Sequence, residues 1–147
     1  MTSRRAAPLL LVAALVIAAC YGGGSRPTPL PGELADVISG LVLRGATITR
    51  HVSGDAGCED PRLYGNAVRL DVSITPAAEP STVYVLGWRR QSDFDNDAAA
   101  FADCVASAEA THGAEATVIE SPPWRAYGVG WSGDLREAVE ESIRAAH

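Results

Sequence analysis

Along 68–75 apolar and polar side chains alternate strictly, with Val68, Leu70, Val72 and Ile74 interleaved with Arg69, Asp71, Ser73 and Thr75. A period of two predicts a strand with one buried face. The β-branched run over 46–53 predicts a strand before it. Thr82 to Trp88, apolar on both sides, predicts a central strand after it, reached through a turn over Pro76 to Pro80. Spacings of three and four mark the helices. Leu34, Val37, Ile38, Leu41 and Val42 give one apolar side to a short helix over 33–43, which Gly45 ends. Phe94, Ala98, Phe101, Val105 and Ala108 form a single stripe on a longer helix, with Asp93, Asp95 and Asp97 at its start and Gly113 after its end. Ala116 to Glu120 reads as a further short strand. A last helix begins near Asp134, with Glu137 three residues on as in a capping box, and buries Leu135, Ala138, Val139 and Ile143. The order αβββαβα implies an α+β domain over 33–147: a small antiparallel-dominated sheet with helices packed on one face.

The first residues follow different rules. Ala6 to Cys20 is an apolar run of 15 residues that contains Pro8, whereas a membrane span takes about 20. A basic start at Arg4 and Arg5, an apolar middle and small residues at Ala18 and Ala19 are the pattern of a secretory signal peptide. The junction Ile17-Ala18-Ala19-Cys20 resembles the lipobox of bacterial lipoproteins. That resemblance covers residues 1–20 and implies removal of 1–19, acylation of the Cys20 thiol, and anchoring to the extracytoplasmic face of a bacterial cell membrane. Residues 20–32, rich in glycine and alternating proline, then read as a flexible tether.

Losing Arg4 and Arg5 but no acid moves the formal charge from −6 to −8. An acidic body argues against nucleic acid as a partner and against adsorption to anionic lipid. Export also changes how the cysteines read. With Cys20 acylated, Cys58 and Cys104 remain, and outside the cytoplasm such a pair is expected as a disulfide. A zinc site from His51, Cys58, Cys104 and His112 has the right ligand types, but its spacings fit no compact zinc motif.

Little else suggests chemistry. Asp93-Phe-Asp95-Asn-Asp97 opens like a calcium loop, yet Ala98 stands where glycine is required and Cys104 where the bidentate glutamate belongs. Gly130-Trp131-Ser132-Gly133 lacks the spacing of a nucleophile elbow. No cofactor, metal or catalytic residue is therefore expected. The most unusual segment is SPPWRAYGVGWS over 121–132. Trp124, Arg125, Tyr127 and Trp131 make it a candidate binding patch, which Trp88, Arg89 and Arg90 extend if the third strand ends nearby; the alternative is that the aromatics close the core. The expectation is a membrane-anchored cell-envelope lipoprotein acting as a non-enzymatic binding module for an envelope protein or glycan. The alternative is an envelope hydrolase with a carboxylate or histidine site, in which His51 and an acid would converge in a pocket.

Overall fold

A computed structural model describes residues 32–146. The expected leader over 1–19, Cys20 and the tether as far as residue 31 lie outside them. Five helices and five strands follow in the order α1 (Leu34–Leu43), β1 (Thr47–Ser53), α2 (Pro61–Tyr64), β2 (Ala67–Ser73), β3 (Ser81–Gly87), α3 (Gln91–Asn96), α4 (Ala98–His112), β4 (Ala116–Ser121), β5 (Trp124–Val129) and α5 (Gly133–Ala145). The strands form one antiparallel sheet in the order β1-β2-β3-β5-β4. The α+β class is as the pattern predicts. Among the described residues no helix is long and apolar enough to cross a membrane.

The sequence reading has no counterpart to β5. With Pro122 and Pro123 before it and Gly128 and Gly130 at its end, Trp124–Val129 reads as a loop. In the fold it is a central strand, pairing Tyr84 with Tyr127 on one side and Val118 with Tyr127 on the other. Both of its faces are buried, so the alternation that betrays a half-exposed strand is missing. Gly128 is needed for this close packing, because a Cβ there would run into the Thr82 carbonyl and the Trp131 indole.

Helices cover both faces of the sheet rather than one. On the first face α1 and α5 pack over Val68, Leu70, Val72, Val83, Val85 and Ala126. On the second, α3, α4 and the 54–64 segment enclose Leu86, Trp88 and Tyr127. The physical reason is β3: Val83 and Val85 point one way and Leu86 the other, so two apolar layers are required, each buried side chain contributing about 1.5–3 kcal/mol. The helices α1 and α5 approach closely at Gly40, where an added Cβ would lie 2.9 Å from Ser142 Cβ. Arg44 Nε, 2.7 Å from Glu141 Oε2, ties the same pair at the surface.

Two helix boundaries also depart from the sequence reading. The predicted long helix breaks at Asp97, whose side chain accepts from Trp88 Nε1 at 2.7 Å instead of capping α4. The last helix is capped by Ser132, whose Oγ accepts from the Leu135 amide at 3.2 Å, and not by Asp134. As expected, α4 ends on Gly113 in the left-handed region, φ 64°.

Candidate functional site

The candidate surface patch is not a surface. Trp124 is 5 % exposed, Arg125 3 % and Tyr127 0 %, and Trp131 is half-buried. Each polar tip is engaged inside the fold. Trp124 Nε1 donates to Ala146 O at 2.8 Å, Trp131 Nε1 to Thr82 O at 2.9 Å, and the Tyr127 hydroxyl to Ala56 O. Arg125 projects from the second face of β5, with its guanidinium carbon 3.7 Å from the Phe94 ring centroid and with Trp88 and Phe101 alongside. Its Nη1 donates to Phe94 O at 2.8 Å. Its Nε lies 3.3 Å from Glu120 Oε1, near enough for an ion pair but misaligned for a hydrogen bond. These residues close the core because β5 is central.

Cys58 and Cys104 form a disulfide with a Cα separation of 5.2 Å, which removes both from the zinc alternative. His51 is exposed on β1, with Ser53 Oγ 3.4 Å from its Nε2. Among the described residues no carboxylate lies within 4.0 Å of His51, so the histidine and acid of the hydrolase alternative do not converge there.

Two hollows flank β3 at its opposite ends. The first, about 460 Å³, lies over the second face beside the start of the strand. The pleat and register build it: Arg69 pairs with Tyr84 and Asp71 with Thr82, so all four side chains share a face. Arg69 sits between Asp71 Oδ1 at 3.2 Å and Asp55 Oδ2 at 3.4 Å. The hydrogen bond to Asp71, with the charge of Asp55 adding to it, raises the guanidinium pKa. Tyr84 stacks on Tyr127, ring centroids 4.8 Å apart. The end of α4 supplies Thr111 and His112 as the opposite wall. The second hollow, about 500 Å³, lies at the other end of β3. Gly32, Tyr64, Trp88, Arg89 and Arg90 are among its lining residues.

No family model, curated protein or solved structure matches this chain.

The first hollow is a preorganised polar surface. Arg69, held in place by its ion pairs to Asp71 and Asp55, lines it beside the Tyr84 phenol, and the sheet lies beneath. Sequence reasoning placed Arg69 and Asp71 on a polar strand face and went no further. The available signal was the pair of polar i, i+2 positions on neighbouring strands, Arg69 with Asp71 and Thr82 with Tyr84. Burial raises the hydroxyl pKa of Tyr84, with nearby Asp55 adding to the effect, and burial raises that of Tyr127 further. The folded state therefore retains protons that the unfolded chain releases near pH 10. Stability from these groups is complete below about pH 10 and is lost as pH rises through the folded values. Urea midpoints are expected to hold steady from about pH 8 to 9.5 and to fall above it. An unchanged midpoint at pH 11 would contradict this account.

Proposed function

We propose that the protein is a bacterial cell-envelope lipoprotein, held through acylated Cys20 on the extracytoplasmic face of a membrane, whose domain binds an envelope glycan non-covalently. The observation that carries the binding role is the convergence of Arg69, Thr82, Tyr84, Thr111 and His112 on one hollow over the sheet. A guanidinium fixed by ion pairs, with the hydroxyls of Thr82, Tyr84 and Thr111 beside it, suits a ligand dense in hydroxyl groups. The support for anchoring is the resemblance of residues 17–20 to a lipobox and the disulfide, which fits an oxidising compartment.

Intact mass of the membrane-extracted protein tests the anchor. A chain beginning at acylated Cys20 and gaining two hydrogens on reduction is expected, and Cys20→Ser should leave the protein unacylated. An unprocessed Met1 would overturn the anchor. Titration of the labelled protein with peptidoglycan-derived glycan fragments tests the hollow. Amide shifts are expected around Arg69, Thr82–Tyr84 and Thr111–His112, and Tyr84→Phe should weaken binding roughly fivefold, the equivalent of one hydrogen bond. Saturating fragment without shifts there would overturn the glycan assignment, and turnover of the fragment would favour the hydrolase alternative.

A further inference from the structure

The second hollow stands where the described chain begins. Gly32 and Leu34 line it together with Arg89, Arg90 and Tyr64. Twelve residue steps separate Gly32 from Cys20, so Gly32 lies no more than about 40 Å from an anchored Cys20 along the chain. We propose that the Arg89–Arg90 rim of this hollow docks on the anionic headgroups of the bilayer that holds Cys20, so that the domain stands on the membrane in one orientation. The inference rests on the anchored reading above and adds a second contact to it.

Charge distribution supports the assignment. The mature chain carries −8 overall, so an anionic bilayer repels the body of the domain as a whole. Arg89 and Arg90 are both exposed, and among the described residues neither lies within 4.0 Å of a carboxylate oxygen. Glu33 and Asp93 share the hollow without pairing with them. Five other arginines, Arg44, Arg62, Arg69, Arg125 and Arg144, have carboxylate partners. The two exposed ones outside these pairs, Arg50 and Arg136, do not line this hollow, so among the described residues Arg89 and Arg90 are the adjacent pair of free guanidiniums beside the chain entry. Tyr64, 40 % exposed, adds an amphipathic ring of the sort that settles at headgroup depth. An arginine close to an anionic surface biases association by roughly fivefold, which a net-negative domain needs to overcome its own repulsion.

The orientation has a functional consequence. From Ser81, which lines the glycan hollow, β3 runs to Gly87, which lines this one. Six residue steps at strand rise amount to about 20 Å. Seating the arginine rim on lipid therefore lifts the Ser81 end of the first hollow by that distance, and the Arg69–Tyr84 pair, three residue steps from Gly87, by about 10 Å, toward the envelope.

The full acylated protein, reconstituted into vesicles of phosphatidylcholine alone or with about 30 % phosphatidylglycerol, provides the test. Amide exchange of residues 64–66 and 89–92 is expected to slow at least about threefold on the anionic vesicles, while 113–121 exchanges equally on both. The R89Q/R90Q double variant, or about 0.5 M salt, should abolish the difference with vesicle flotation unchanged. Equal exchange on both vesicle types, with flotation intact, would overturn the docking and leave the anchor standing. Loss of flotation for the wild-type protein would overturn both.

Discussion

Replacing Cys58 and Cys104 together with alanine is expected to lower the unfolding free energy by about 4 kcal/mol, the chain-entropy value for a closed loop of this size. The bridge encloses 47 residues, and a loop that long leaves the unfolded chain far more conformations once cut. Its position concentrates the effect. Cys104 is buried on α4 beside Phe101 and Ala108, and the bridge pins the 54–60 loop against that helix. The same loop carries Ala56, whose carbonyl receives the Tyr127 hydroxyl, and Asp55, which contacts Arg69. Losing the bridge therefore loosens one wall of the first hollow, which Gly57 lines, as well as the second core. A domain of this size commonly has only 5–15 kcal/mol in total. Guanidinium titration of the variant and the parent measures the difference. A loss below about 1 kcal/mol would mean that packing on α4 holds the loop without the covalent link.

Arg125→Ala is expected to cost about 3 kcal/mol, the second-largest effect. The truncation opens a cavity between Phe94, Trp88 and Phe101, strands the Phe94 carbonyl, and removes the cation from over the Phe94 ring. Glu120 itself suffers little, since it is 49 % exposed and regains water. Arg125→Met separates these contributions, because it refills the cavity and removes the need to bury a charge. Methionine should recover at least half of the loss. If alanine and methionine cost the same, the charge and its hydrogen bond matter more than the volume; if neither costs anything, the aromatic surroundings collapse onto the gap.

Most of the elements were legible from spacing. The alternation over 68–75 became β2, the three-and-four spacing over 34–42 became α1, and the stripe through Phe101 and Ala108 became α4. These are local signals, carried by how often a side chain returns to the same face. Cys58 and Cys104 were also paired, as their bridge in the fold bears out, on the expectation that Cys20 is acylated and leaves them no other partner. The caps were less legible. Ser132 and Asp134 both precede the last helix, and only the backbone path decides which of them reaches an orphan amide.

By itself the sequence determined the class of fold, the positions of its half-buried elements, the disulfide and the lipobox resemblance at Cys20. It could not determine what Trp124, Arg125 and Tyr127 do, since a strand buried on both faces has no alternation and its prolines and glycines imitate a loop. Only the tertiary structure placed β5 inside the sheet, between β3 and β4, and so turned a candidate surface into core. The same holds for the first hollow, where Arg69 meets Tyr84 through β2–β3 register, and for the arginine rim beside Gly32, which chain entry brings together. Periodicity reports which way one segment faces, whereas a site is made by segments that face each other across the fold.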